Sequence, residues 1–193
     1  MEIPEEASVW VGIDGAAKRD TTAVYVVHRD DAGVLHTKGR VFEPPSETEI
    51  IDPVLVENHI RELARTYDVR GFRFDPHLFF RSAVALQEEG YPMEEVPQTV
   101  PRKMQFAQAL YDVVSQQRLR HGGDPILRSH AEAVVAKDRG NGWTMEKLKS
   151  TQHIDACVAL AMAVQGADDD SGGGYLWMEE DPDSLHEDTR SDV

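Results

Sequence analysis

The chain has 193 residues, a formal net charge of −15, one cysteine and eight histidines. A chain of this length can bury one substantial core, so we expect a single domain with tails. The composition excludes an intrachain disulfide, and the histidines lack the spacing of a zinc site. The sequence also has no GxxxxGK[ST] phosphate loop, no signal-peptide pattern and no apolar run long enough to span a membrane. It therefore predicts a cytosolic protein without an ATPase site of its own.

The first predicted element is a strand from Val9 to Ile13 that leads directly into Asp14. Its residues are almost all apolar, which is typical of a strand buried on both faces, and a second strand over Thr22–Val27 forms a hairpin with it. A carboxylate at the edge of an apolar sheet is costly unless hydrogen bonds, a cation or a metal compensate its charge. Asp14 therefore either belongs to a site or accepts backbone hydrogen bonds within its own loop.

A third strand over Val34–Phe42 completes an antiparallel meander, and a helical pattern follows over residues 50–67. The next strand, Val69–Phe74, leads into Asp75. The proline after this acid suits the first position of a helix over residues 77–89. Asp75 is thus either a plain helix N-cap or a second acid at the end of a buried strand.

The following segment is locally basic. We predict a short strand over Tyr91–Val96, a helix over 101–117, a helical pattern over 126–135 and an exposed loop over 137–143. Residues 101–149 carry nine bases against five acids. This excess is enough to contact phosphates, although solvated helix faces explain any single base equally well.

The last predicted element is a helix over Thr151–Gln165 with almost no polar face. Asp155 interrupts its apolar pattern, and Cys157 within it is predicted to be a buried small hydrophobe. An acid in the first turn gains about 0.3–1 kcal/mol from the helix dipole, which is small beside the cost of burying an unpaired charge. We therefore favour a cation as the partner of Asp155.

This order of elements predicts an α/β fold: a mixed five-stranded sheet, with three antiparallel strands followed by parallel additions, flanked by helices. Acids stand at the ends of the first and fourth strands and on a late helix. In this arrangement the chain resembles the ribonuclease H-like superfamily of two-metal nucleases.

Two stretches make the resemblance more specific. The segment VGIDGAAKRDTTAV is similar to the first nuclease motif of large terminase subunits of tailed bacteriophages. The segments RLRHGGDPILRSHAEAVVAKDRGNG and KLKSTQHIDACVALAMAV resemble the C-terminal signature of the same family. The resemblance spans Val9–Val164, and one departure is Glu132, where the family pattern has an asparagine. The motor domain of such subunits is not part of the resemblance, so the expected unit is an isolated nuclease domain.

The resemblance implies that Asp14, Asp75 and Asp155 are catalytic and hold two divalent cations, Mg²⁺ or Mn²⁺, with Asp14 bridging both. Carboxylate oxygens without cysteine or histidine suit these hard cations better than zinc. Asp20 is an accessory ligand candidate, with capping of its own loop as the alternative. The candidates for contacting DNA are Lys147, Lys149 and Arg102.

The implied function is a metal-dependent DNA endonuclease that cuts double-stranded concatemeric viral DNA during genome packaging, with little sequence specificity. The implied partners are the terminase ATPase motor domain, the small terminase subunit and the portal protein, in the cytoplasm of the bacterial host. The alternatives are a junction resolvase, another ribonuclease H-like nuclease, or a non-catalytic packaging interaction module. The predicted boundaries are 1–8 for an N-terminal linker, 9–166 for the nuclease domain and 167–193 for an acidic, flexible tail.

Overall fold

A computed structural model describes residues 2–15, 21–46 and 48–170 of the chain. The strands are β1 Ser8–Asp14, β2 Thr22–Arg29, β3 Leu35–Phe42, β4 Asp68–Phe74, β5 Met93–Glu95, β6 Leu119–His121, β7 Val134–Asp138 and β8 Trp143–Lys147. The helices are α1 Pro53–Thr66, α2 Pro76–Glu88, α3 Val100–Ser115, α4 Pro125–Glu132 and α5 Asp155–Asp170. None of the helices in these ranges is long and apolar enough to cross a membrane.

The main sheet has the strand order β5-β4-β1-β2-β3-β6. Strands β1, β2 and β3 form the predicted antiparallel meander, while β4 pairs in parallel with β1 and β5 in parallel with β4. This confirms the ribonuclease H-like mixed sheet. The predicted count of five strands is wrong, because β6 adds a sixth strand parallel to β3, and β7 and β8 form a separate hairpin.

The central strands are buried on both faces, as the apolar run of β1 predicts. Val9, Val11 and Ile13 pack against α1 and α2 on one face of the sheet. On the other face, Tyr25 of β2 belongs to the cluster that includes residues of α3, α4 and α5. The sheet is therefore covered by helices on both sides, which leaves the strand ends as the places where polar side chains can gather.

Helix α5 packs directly on the backbone of β1. A Cβ atom at Gly12 would lie 1.9 Å from the carbonyl oxygen of Ala159, so only glycine allows this approach. Every residue from Asp155 to Ala167 is buried, which agrees with the predicted helix that lacks a polar face. The position of α5 on β1 is therefore fixed by contact between two backbones.

Two predicted segments differ from the structure. The helical pattern over 126–135 ends at Glu132, and the chain continues as β7. The predicted loop over 137–143 is the tight end of the β7–β8 hairpin, in which the Arg139 N–H donates to the Gly142 carbonyl at 2.8 Å. Pairing with β8 provides hydrogen bonds for the backbone N–H and C=O groups of this segment, as a continued helix would also have done. Local apolar periodicity does not distinguish such a helix from a strand.

The ends of the domain extend beyond the predicted core segment. At the amino terminus Ile3 is buried in the α1 and α2 cluster. At the other end α5 continues through Asp170, so residues 167–170 are helical. Residues 171–193 of the predicted tail lie outside the described residues.

Candidate active site

Three buried acids gather where β1 and β4 end. Because these strands are parallel neighbours with Ile13 opposite Phe74, Asp14 and Asp75 leave the sheet at the same edge. Asp155 is the first residue of α5, which packs across β1. The three residues are 7%, 8% and 9% exposed, respectively. The fold therefore brings together three acids that are far apart in the sequence.

The surroundings of Asp14 shift its pKa strongly. Burial raises the pKa of its carboxyl from 3.8 to about 8, and the Asp155 carboxylate is the second cause. A hydrogen bond from Gln98 Nε2 to Oδ1, 2.9 Å long, opposes this rise in pKa; Asp75 adds to the rise and Lys103 opposes it. Asp14 therefore holds its proton near neutral pH in the absence of a cation, because burial and then the neighbouring carboxylates disfavour its charged form.

Asp75 has the N-cap role that the sequence predicts. Its Oδ1 accepts the backbone N–H of His77 at 3.1 Å, and Pro76 occupies the first turn of α2. Capping and membership of the acid cluster are compatible, because the cap bond uses one carboxylate oxygen and Asp75 also raises the pKa of Asp14. The two alternatives considered for Asp75 are thus not exclusive.

Asp155 is held by residues that the sequence analysis did not assign to it. The hydroxyl of Thr21 donates a hydrogen bond to Oδ2, and His153 Nδ1 lies 3.6 Å from the same oxygen. Thr21 immediately precedes β2, whose first residues pair with the end of β1. The carboxylate of Asp155 is therefore oriented toward the strand end that carries Asp14.

His130 is a further buried residue next to this cluster. Its Nδ1 accepts the backbone N–H of Ala156 at 3.0 Å. Burial is the first cause that lowers the pKa of His130; Asp155 raises it, and His153 and Lys147 lower it. Sequence analysis missed this residue and Gln98, because neither contact follows a local spacing rule.

The other residues that the sequence predicts for the site lie on several different elements or outside the described residues. Lys147 ends β8 near His130, Lys149 is exposed in the turn after β8, and Arg102 is exposed in the first turn of α3. Asp20 lies outside the described residues. Glu132, which departs from the family pattern, is the exposed last residue of α4. Lys103 on α3 is the base whose charge acts on Asp14.

The acid cluster is not arranged as a finished metal site. Among the described residues, no group of three or more His, Cys, Asp or Glu side chains is arranged so that it could already hold a metal ion. Hydrogen bonds to Thr21 and to the His77 N–H occupy oxygens of Asp155 and Asp75. The donor set is nevertheless entirely carboxylate oxygen, which is the ligand type preferred by Mg²⁺ and Mn²⁺.

Comparison with known proteins places this geometry in context. The sequence profile of the family described as "Terminase large subunit, endonuclease domain" matches residues 37–170. The large terminase subunit of Enterobacteria phage HK97 is 25% identical over 195 aligned residues, which cover 86% of this chain. The chain spans only 39% of the length of that protein.

Solved structures show the same fold. The HK97 large terminase superposes with a TM-score of 0.74 at 22% identity, covering 86% of this chain and 40% of that chain. The large terminase nuclease of thermophilic phage G20c, solved with bound magnesium, has a TM-score of 0.65 at 15% identity, with 84% of each chain covered. The nuclease domain of the bacteriophage SPP1 large terminase, solved with bound Mn, has a TM-score of 0.55 at 13% identity, covering 83% of this chain and 86% of that one.

Proposed function

The chain belongs to the family of terminase large subunit endonuclease domains, and on that premise we propose that it is a metal-dependent endonuclease that cuts double-stranded concatemeric DNA during viral genome packaging. The observation that carries the proposal is the convergence of Asp14, Asp75 and Asp155. Burial and the neighbouring carboxylates raise the pKa of Asp14 to about 8. Such clustering of buried like charges is costly for folding, and a bound cation relieves that cost.

We further propose that two divalent cations bind at this cluster, where the carboxylates of Asp14, Asp75 and Asp155 would hold them. The carboxylate donor set supports this assignment, and so do the magnesium and manganese bound to the nucleases of phages G20c and SPP1. Mg²⁺ and Mn²⁺ are the proposed ions. When bound, such a pair supplies a hydroxide nucleophile and neutralises charge on the scissile phosphate and on the leaving oxygen.

The chain itself prepares the site in three ways. Asp14 would give up its proton to solvent on binding a cation, because a positive charge beside the carboxylate favours its ionised form. Gln98 holds one oxygen of Asp14 in place, and Thr21 does the same for Asp155. Each carboxylate is thereby oriented before a metal arrives, which limits the reorganisation needed on binding.

Two basic residues close to the acid cluster would attract the DNA backbone. Lys103 acts electrostatically on Asp14, and Lys147 acts on His130 beside Asp155. With Arg102 and Lys149, these bases would contact phosphates, which positions DNA without reading its sequence. Little sequence specificity is therefore part of the proposal.

The partners and the compartment also belong to the proposal. The HK97 relative is about two and a half times as long as the matched segment, and structures of the D6E large terminase are described with ADP and with ATP-gamma-S. We propose that this domain works with a terminase ATPase motor domain, with the small terminase subunit and with the portal protein. The proposed place of action is the cytoplasm of the bacterial host.

The test is nicking of supercoiled plasmid by the purified chain with Mg²⁺, with Mn²⁺ or with EDTA. We expect metal-dependent nicking and linearisation, with no effect of ATP. Parallel reactions on a four-way junction and on an RNA–DNA hybrid distinguish the two nuclease alternatives. A strong preference for the junction or the hybrid contradicts the proposed substrate, and failure to cut any of them while Mn²⁺ does not bind supports an interaction module.

A further inference from the structure

The amino-terminal end of α5 has no side-chain cap of its own. The residue before the helix is Ile154, whose side chain has no polar atom. Its carbonyl oxygen accepts the N–H groups of Cys157 at 2.8 Å and Val158 at 3.1 Å. The first N–H groups of a helix, here including that of Ala156, have no acceptor within the helix. A Ser, Thr, Asp or Asn ordinarily supplies one from the N-cap position, and this chain has none there.

His130 supplies the missing acceptor from a different helix. Its Nδ1 accepts the Ala156 N–H at 3.0 Å, and the residue is only 6% exposed. A nitrogen that accepts a hydrogen bond carries no proton, so the ring is in its neutral form with hydrogen on Nε2. The cost of burying an unsatisfied N–H makes this contact important for the first turn of α5.

The other end of α4 is anchored to the sheet. Asp124, the N-cap of α4, accepts the Ile126 N–H at 2.8 Å on Oδ1 and the Tyr25 hydroxyl at 2.7 Å on Oδ2. Tyr25 lies on β2, the neighbour of the strand that carries Asp14. Helix α4 therefore connects the sheet to the beginning of α5, with His130 as its contact at the far end.

We propose that His130 is a positioning residue for Asp155. By accepting the Ala156 N–H it fixes the first turn of α5, so that Asp155 is directed toward Asp14. This inference rests on the proposed function, because it assigns His130 to the same cation site. Losing a group that orients a metal ligand without touching the metal typically lowers metal affinity about 10–100-fold. His130 has this relation to Asp155.

The experiment compares two variants that differ only in the acceptor. Asparagine and leucine have nearly the same shape, and asparagine places an amide oxygen close to where Nδ1 stands. We therefore compare His130→Asn, which keeps an acceptor, with His130→Leu, which removes it. Val56→Ala is the matched control for general loss of stability, because Val56 is buried on α1 on the opposite face of the sheet. Mn²⁺ affinity is measured by calorimetry without DNA, together with hydrogen exchange of the Ala156 amide by NMR.

We expect His130→Leu to bind Mn²⁺ at least about tenfold more weakly than the unmodified chain and to exchange the Ala156 amide faster. His130→Asn should stay within about threefold of the unmodified chain and keep the amide protected. Val56→Ala should melt at a lower temperature with unchanged Mn²⁺ affinity. Equal affinities in the leucine and asparagine variants, or an equal loss in Val56→Ala, would overturn the assignment.

Failure of the proposed function gives a different result. If the unmodified chain does not bind Mn²⁺, the proposed cation site and the role of His130 toward it both fall, and amide exchange then decides only whether His130 anchors α5. If His130→Leu does not fold, the asparagine variant still decides the inference. A tenfold loss of Mn²⁺ affinity in a folded His130→Asn protein would overturn it.

Discussion

The two ends of α5 both carry acids, but their surroundings differ. At the carboxyl end Asp168, Asp169 and Asp170 each meet an arginine. Arg29 bonds Asp168, Arg73 Nη1 lies 3.6 Å from Asp169, and Arg70 Nε lies 3.8 Å from Asp170. At the amino end the carboxylates of Asp155 and Asp75 both raise the pKa of Asp14, and Lys103 is the last of the five influences on that pKa.

The helix dipole acts differently on acids at the two ends of α5. It favours an acid at the amino end and disfavours acids at the carboxyl end, where the three arginines compensate for it. Burial raises the pKa of Asp169 as well, and Asp168 adds to the rise, but the cause that follows burial there is Arg73, which opposes it. At Asp14 the cause that follows burial is the Asp155 carboxylate, which adds to the rise. The difference teaches that a high density of acids does not identify a site. Acids that the fold buries together without a strong positive partner indicate a candidate cation site.

The largest expected effect concerns activity. Asp14→Asn, Asp75→Asn and Asp155→Asn should each lower metal-dependent plasmid nicking by at least about a hundredfold, because each removes a charged cation ligand. Asp168→Asn removes the same charge from the other end of α5 and should leave nicking within about twofold, because it lies outside the cation site. Initial rates in Mn²⁺ measure both. Near-normal nicking by two of the first three variants would remove the distinction between the two ends.

The second effect concerns how the stability of the folded chain depends on pH. The folded chain keeps the Asp14 proton between pH 3.8 and about 8, where the unfolded chain has lost it. Stability of the unmodified metal-free chain therefore falls as pH rises through this range. Asp14→Asn cannot ionise, so it should gain on the order of a few kcal/mol over the unmodified chain near pH 8 and nothing below pH 4. Urea denaturation in EDTA at a series of pH values measures the gap, and a gap independent of pH would contradict the pKa shift.

The third effect is stabilisation by metal. Mn²⁺ at a hundredfold excess over its Kd should stabilise the unmodified chain by about 2.7 kcal/mol, because it binds the folded state. Asp155→Asn should melt at or above the unmodified chain in EDTA and gain much less from Mn²⁺, since one ligand is neutral. Thermal melts with and without Mn²⁺ test both statements. If Asp155→Asn loses stability in EDTA and gains as much as the unmodified chain in Mn²⁺, Asp155 is only a first-turn acid.

The smallest effect is expected at the compensated end. Asp168→Asn should cost roughly 0.5–1 kcal/mol, because it weakens a partly exposed ion pair with Arg29. The loss should shrink in high salt, which screens exposed charges. Melting temperatures in low and high salt provide the measurement. A stability gain in Asp168→Asn would show that the arginines do not compensate these acids.

The elements with strong local patterns were predictable from the sequence. Alternating or continuous apolar residues predicted β1 to β4, and the proline after Asp75 predicted the start of α2. Strand β6 was missed because Leu119 is the one apolar residue among its three, so no apolar pattern marks it as a strand. The β7–β8 hairpin was missed because an apolar pattern continued from α4 into Val134 and Val135. Strand pairing over Val134–Asp138 outweighed this local pattern.

The convergence of the three acids was also predictable, but the contacts that support them were not. Asp14, Asp75 and Asp155 stand at ends of elements, which is a property of the sequence pattern. Gln98 contacts Asp14 from 84 residues away, and His130 contacts a backbone N–H that lies 26 residues away. Such contacts depend on how distant elements pack, and no spacing within the sequence records them.

The close contact between Gly12 and α5 has a consequence for how the domain is completed during synthesis. Strand β1 is synthesised well before α5, so the face of the sheet that α5 covers stays exposed until α5 has been made. Long-range closure of this kind is slow compared with local folding, and exposed apolar surface favours aggregation in the meantime. A chain that stops before α5 lacks both the cover of its central strand and Asp155. Incomplete products would therefore carry no assembled acid cluster, and the proposed cutting of DNA would require the closed fold.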